Sequence, residues 1–406
     1  ANLQTMRNIS RYKYRPKKYT FNPIISTTPL LFDNFVRTDL SPLRHRELIF
    51  DFYNRSAHQN NISARLLLEK AYSNIPSPHV NEITTCLKSN NNKTFKATEF
   101  ELLINQTLVS LNLNVEIHPN IPNSSKRPDF KLTTASGEEL YIEARNMEEK
   151  NIDRSGRCLD SGTKKRREHF FSFLNENPHS KYVVDCIDNG PYEAPKLQPK
   201  STLAVQEIHR WLDSISSDKS PSQTYKLVLD DWTLVLKAYL YSNMKPTTLI
   251  TSNSDSTHPE LIKSFRAAYG KKCTRYGNPD IPLILAINHH SPFIRREHFE
   301  DALFGTEHGI EFNMTMNSRK TVRLTDGLWI SLNCFKNTRI FAVWVFNNLR
   351  ANNVDGKKNI IYINPGYTGS RILPKELQRI TNCSMINSSI TYNEGLEPED
   401  ILNIGQ

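Results

Sequence analysis

Three stretches in the second half of the chain, "DIPLILAINHH" (280–290), "RIFAVWVFNNL" (339–349) and "NIIYINP" (359–365), are apolar on consecutive residues rather than on alternate ones. Successive side chains of a strand point to opposite faces, so a strand with one wet face alternates apolar and polar residues. A strand apolar throughout has to be covered on both faces, as in sheets with helices packed on either side. Segments of helical period, "HPELIKSFRAAYG" before the first run and "IRREHFEDALFG" between the first and second, end at glycines that read as helix stops. The expected class is therefore α/β, with a central sheet flanked by helices. A chain of 406 residues, 38% hydrophobic and 23% charged, is long enough for a large core and has the composition of a soluble globular protein. No apolar run approaches the roughly 18 residues of a membrane span. The opening "ANLQTMRNISRYKYRPKKYT" has no apolar core of a secretory signal, so a cytoplasmic location is expected.

A second pattern lies upstream. In "FKATEFELLINQTLVSLNL" (95–113), Phe100, Leu103, Ile104, Leu108 and Leu111 share one helical face, with Glu101 beside that stripe and Glu99 as its alternative. "NVEIHP" reads as a short strand closed by Pro119. "PDFKLTT" then sets Phe130 and Leu132 against Asp129 and Lys131. After the turn residues "ASGEE", "ELYIEARN" sets Leu140, Ile142 and Ala144 against Tyr141, Glu143 and Arg145. The hairpin is thus expected to carry Asp129, Glu143 and Arg145 on one side and its apolar set on the other. Two carboxylates on adjacent strands, with a third on a nearby helix, have the chemistry that holds a hard cation. The carbonyl of Ala144 would complete the shell, and the Arg145 guanidinium would stabilise charge developing on a phosphate.

"RPDFKL…GEELYIEAR" resembles the motif of the PD-(D/E)xK nuclease superfamily, whose fold is restriction-endonuclease-like: a mixed central sheet flanked by helices. The resemblance implies Asp129 and Glu143 as metal ligands, Glu101 as an auxiliary ligand, and Arg145 in the place of the usual lysine. It also implies Mg²⁺, with Mn²⁺ able to substitute, and hydrolysis of phosphodiester bonds in nucleic acid, DNA ahead of RNA, in a setting such as defence against foreign DNA. From about Phe95 through "ALFG" and "INPGY" the chain also resembles large bacterial proteins of unassigned function with this core, which adds no activity. A guanidinium stays charged at working pH and cannot serve as a base. Lys131, Lys164 or Lys165 could then supply the missing cation. Alternatively the site is silent and the protein binds nucleic acid without cutting it, or serves as an interaction scaffold.

The net charge of +10 favours a polyanionic partner, because phosphate neutralisation releases counterions. Candidate phosphate contacts are Lys126, Arg127 and Lys131 beside the motif, and the run Lys164, Lys165, Arg166 and Arg167. Residues 1–40 form a basic arm in which Arg7, Arg11, Lys13, Arg15, Lys17 and Lys18 interleave with Tyr12, Tyr14 and Tyr19. That composition suits an arm lying on a phosphate backbone or one packed on its own domain. Residues 41–94 read as a helical region and 95–406 as one nuclease-like domain with insertions. A homodimer would ease cutting of both strands of a duplex.

The remaining candidates have plainer readings. Six scattered cysteines without a CxxC pair fit reduced thiols and give no zinc spacing. His118, His289, His290 and the pair Asp230–Asp231 are first read as loop, strand-end and turn residues. The lack of a Walker loop, GxGxxG or GxSxG removes the common nucleotide-binding and hydrolase motifs.

Overall fold

The apolar runs do become strands buried on both faces, in a chain whose described residues build three sheets, of eight, four and two strands. The computed structural model describes residues 30–44, 47–121, 126–147, 161–188, 197–215, 223–230, 232–240, 249–252, 265–270, 275–276, 281–289, 295–313, 318–330, 334–370, 372–386 and 389–402. Among the described residues four helices come first: α1 (Ile49–Arg55), α2 (Gln59–Ser73), α3 (Ser77–Leu87) and α4 (Asn92–Ser110). Strands β1 (Asn114–Ile117), β2 (Phe130–Thr133) and β3 (Glu139–Met147) follow. An insertion then supplies α5 (Ser161–Asn175), β4 (Tyr182–Asp188), α6 (Ser201–Asp213), β5 (Thr224–Leu229), β6 (Trp232–Leu240) and β7 (Ile250–Ser252). The chain returns through β8 (Leu283–His289), α7 (Arg296–Phe304), β9 (Glu307–Asn313), β10 (Ser318–Arg323), β11 (Ile340–Asn347) and β12 (Asn359–Ile363). It closes with α8 (Lys375–Gln378), β13 (Asn382–Ile386), β14 (Ser389–Asn393) and α9 (Pro398–Leu402).

The main sheet has the order β1-β2-β3-β8-β11-β12-β13-β14. Strands β3, β8 and β11 are mutually parallel, β1-β2-β3 is an antiparallel meander, and the far side mixes both kinds of pairing. The protein is therefore a mixed α/β structure with a large central sheet flanked by helices. Every residue of β8 is buried, which is why its sequence has no polar alternation.

One face of the sheet packs on the N-terminal helices: Leu140, Ile142, Ala144, Ile284, Ala286, Trp344 and Phe346 join Leu103, Ile104 and Leu108 of α4. The opposite face is a second core, in which Tyr141, Met147, Leu285, Ile287 and Val343 meet Phe299, Leu303 and Phe304 of α7. Each fully buried side chain of Leu or Phe size contributes about 1.5–3 kcal/mol, so covering both faces is a leading source of stability. Helix α7 ends at Gly305 as expected. Its φ of 102° and a Cβ position 1.8 Å from the Leu324 carbonyl oxygen leave room only for glycine.

Helix α4 starts at a true cap: the Asn91 side chain accepts a hydrogen bond from the Lys93 N–H at 2.9 Å. Asn91→Ala is expected to lower stability by about 1 kcal/mol in urea unfolding, because that amide loses its partner. The insertion folds on itself. Its sheet, ordered β5-β6-β4-β7, buries Val184, Leu234, Leu236 and Trp232 against Phe170 and Leu174 of α5 and Ile208 and Leu212 of α6. The sequence "YKLVLDDWTLVLKAYL" makes a hairpin here, with Asp230 at φ 49° in the turn. Residues 95–402 thus hold a self-contained core between β3 and β8, which the reading of a single domain with insertions had not separated. Among the described residues no helix is long and apolar enough to cross a membrane.

Candidate functional site

The β2/β3 hairpin sets the geometry. Phe130 lies opposite Ile142 and Lys131 opposite Tyr141, so the sidedness read from the alternation holds. Asp129 stands one residue before β2, beside Glu143. Its Oδ2 accepts a hydrogen bond from the Ala144 N–H at 2.6 Å, where β2 has ended and offers no carbonyl. The N–H and C=O of one strand residue point the same way, so the Ala144 carbonyl is also directed toward Asp129 and away from β8. Asp129 thus lies across the hairpin from Glu143 and is tied to the β3 backbone at Ala144, just before β2 begins.

The acid-bearing face is a packed face as well, and Glu143 is 0% exposed. A carboxylate this deep needs compensation, because desolvating an unpaired charge costs several kcal/mol. Arg275 Nη1 donates to its Oε1 at 3.1 Å, and the Tyr276 hydroxyl donates to its Oε2. The same hydroxyl lies 3.0 Å from the Arg127 carbonyl. Burial pushes the Tyr276 phenol above its usual range; Arg275 opposes that shift and the Asp129 charge adds to it. The phenol therefore keeps its proton at neutral pH and remains a donor to Glu143. Residues 275 and 276 had no part in the motif. The signal that could have found them is positional: "TRYGNPD" leads straight into β8, the strand paired with β3.

Other candidates are placed as follows. Arg145 is half-buried on the Glu143 face, and its buried Nε has no hydrogen-bond partner among the described residues. Glu101 lies on the other side of the sheet. It borders a small cavity with Asn105, Ile117, His118 and Phe130, residues that belong to or adjoin the core beneath α4. The residue expected as an auxiliary ligand is thus placed on the Phe130 face of the hairpin rather than on the Glu143 face. Glu99 is the buried acid of α4, 1% exposed and bound by Tyr53, Arg350 and the Ala351 N–H. A stripe argument could not rank the two, because α4 is buried on nearly all sides, from Thr98 to Phe100 and from Leu102 to Leu108.

Lys131 is held by Glu139 at 2.7 Å, and Lys126 and Arg127 are exposed beside the site. Arg166 Nη2 donates to Thr163 at 3.0 Å within α5. Lys164, Lys165 and Arg167 sit on α5, and their side chains lie outside the description, as does the basic arm up to residue 29. The His118 N–H donates to the Asp129 carbonyl at 2.9 Å, a structural role at the start of β2. His289 ends β8 in the second core, while His290 and Asp231 lie outside the described residues.

Among the described residues no group of three or more His, Cys, Asp or Glu gathers in a form suited to a metal. Mg²⁺ does not require one, since it keeps several waters and takes one or two carboxylates. Asp129, Glu143 and the Ala144 carbonyl are hard oxygen donors of that kind, so the residues present fit such an ion. In the geometry seen, Arg275 supplies the positive charge that Glu143 needs. No family model, curated protein or solved structure matches the chain.

Proposed function

We propose that the protein is a metal-dependent nuclease on a restriction-endonuclease-like core, hydrolysing phosphodiester bonds of nucleic acid, with DNA ahead of RNA. What carries this reading is the hydrogen bond that ties Asp129 to the Ala144 N–H, across the hairpin from a fully buried Glu143 held by Arg275. The motif resemblance and the mixed sheet flanked by helices support it. Asp129, Glu143 and the Ala144 carbonyl would hold Mg²⁺ or Mn²⁺. The ion would supply charge stabilisation and a water acidic enough to attack at neutral pH. Tyr276 keeps the Glu143 carboxylate oriented through its hydroxyl proton. Arg145, with a buried Nε awaiting an acceptor, stabilises charge on the phosphate oxygens and takes no part as a base. Lys126 and Arg127 hold flanking phosphates. A role against foreign DNA in the cytoplasm follows from the resemblance.

A second reading is favoured by a specific observation. Arg275 already neutralises Glu143, and arginine stands at position 145, a combination that also suits a protein which binds nucleic acid without cutting it. The two are separated by offering single- and double-stranded DNA and RNA with Mg²⁺, Mn²⁺ or EDTA to the wild type and to Asp129→Ala. Cleavage that needs metal and disappears in the variant supports the nuclease. Salt-sensitive binding without cleavage on any substrate supports the silent binder, and no binding at all leaves an interaction scaffold.

A further inference from the structure

Both carboxylate oxygens of Glu143 are engaged, and the two partners differ in how firmly they are placed. Tyr276 is 6% exposed, and its hydroxyl, the donor to Oε2, also lies 3.0 Å from the Arg127 carbonyl. Drawing that hydroxyl away would leave a polar group unsatisfied in a dry site. Arg275 is the opposite case. Its Nη1 meets Oε1 at 3.1 Å, while its side chain is 37% exposed and has water to turn to. Oε1 is therefore the oxygen that can change partner, and Oε2 is the one that stays bound.

Charge balance singles out the same oxygen. A carboxylate at 0% exposure has to be paired, and Arg275 pairs it in the geometry seen. A divalent cation shared by Asp129 and Glu143 would be neutralised by those two acids alone. Arg275 in its present place would then add a further positive charge, beside the half-buried Arg145, where water screens poorly. The pair of acids is balanced by the cation, and Glu143 is balanced by the guanidinium; with both present the site is overcharged. We propose that Arg275 is an exchangeable counter-ion, which occupies Oε1 in the metal-free protein and gives that oxygen up when a divalent cation binds. The proposal rests on the reading of Asp129 and Glu143 as metal ligands. It makes Arg275 a positioning residue that keeps a buried carboxylate charged and in place until the cation arrives. It also makes metal affinity weaker than the oxygen donors alone would give, by the fraction of molecules in which Oε1 is open.

The test is Mn²⁺ binding to the full chain by electron paramagnetic resonance, without nucleic acid. Wild type, Arg275→Gln, Arg275→Lys and Glu143→Gln are compared, and melting is followed in EDTA and in excess Mn²⁺. Glutamine can still donate to Oε1 but has no charge, whereas lysine restores the charge. Arg275→Gln is expected to bind Mn²⁺ roughly tenfold more tightly than the wild type, and Arg275→Lys to return toward the wild-type value. Arg275→Gln should also melt below the wild type in EDTA and recover most of that gap in Mn²⁺, because the tighter ligand stabilises more. A merely structural arginine would lower melting equally in both conditions and leave Mn²⁺ affinity unchanged.

A second measurement needs no stable glutamine variant. The Arg275 side-chain resonance of nitrogen-labelled protein, assigned as the one missing from Arg275→Lys, should move on adding Mg²⁺. An unmoved resonance at saturating Mg²⁺ overturns the exchange. So does Mn²⁺ binding that Glu143→Gln abolishes but Arg275→Gln fails to tighten, and in that case the metal-ligand reading stands. Mn²⁺ binding that is absent from wild type and Arg275→Gln alike, or that survives Glu143→Gln, overturns the metal-ligand reading and the exchange with it.

Discussion

Glu143→Gln is expected to lower metal-dependent cleavage by a factor of roughly a thousand or more, about 4 kcal/mol of transition-state stabilisation, with little effect on folding. The substitution keeps the shape of the side chain. Its carbonyl oxygen can still accept the Tyr276 proton, so the phenol keeps a buried partner. What disappears is the negative charge. An amide has no charge with which to hold Mg²⁺, and the ion pair with Arg275 goes as well. The loss of that pair costs little stability, because Arg275 is 37% exposed and can turn to water. Mn²⁺ binding followed by electron paramagnetic resonance gives a readout independent of turnover, and Glu143→Gln and Asp129→Asn should both weaken it. Cleavage within tenfold of wild type in Glu143→Gln would sink the metal-ligand role and leave Glu143 as the structural anchor of residues 275 and 276.

The largest stability effect is expected at Glu99. Glu99→Ala should destabilise the protein by about 3–5 kcal/mol, seen as a lower urea midpoint at unchanged slope. Arg350 Nε lies 2.7 Å from this carboxylate, and the Ala351 N–H and Tyr53 hydroxyl each lie 3.1 Å away. Burial and the Glu99 charge together push the Tyr53 phenol well above its ordinary range, so it stays a donor. Truncating the acid strands a guanidinium with 17% side-chain exposure and two further donors in a dry site. It also cuts the polar tie between α1, α4 and the residues after β11. Replacing both partners, Glu99→Leu with Arg350→Met, should recover much of the loss, since it is the orphaned charge that costs most. Glu101→Ala is the control: its side chain is only partly buried, and a change below about 1 kcal/mol is expected. Equal losses at positions 99 and 101 would contradict this picture.

How far the sequence could be read follows the range of each interaction. The hairpin was legible because alternation is a property of neighbouring residues, and its register is pinned by one apolar face. Strands β8, β11 and β12 were legible from uninterrupted apolar runs, which only double coverage explains. Gly305 as a helix stop is likewise local. Helix α4 marks the limit, because a helix covered on almost every side has no stripe from which to choose between Glu99 and Glu101.

The composition and periodicity of this chain by themselves determined an α/β class, a sheet sealed on both faces, and two acids and an arginine on one side of a hairpin. Tertiary structure alone decided that this side is buried too, that Glu143 is answered by residues more than 130 positions away, and that Glu101 belongs to the opposite face. It also decided that the insertion closes its own core. The physical reason is that period and propensity act between neighbours along the chain. Compensation of a buried charge is set by whichever element the chain path brings across the sheet, and here that path makes a long excursion between β3 and β8 before returning.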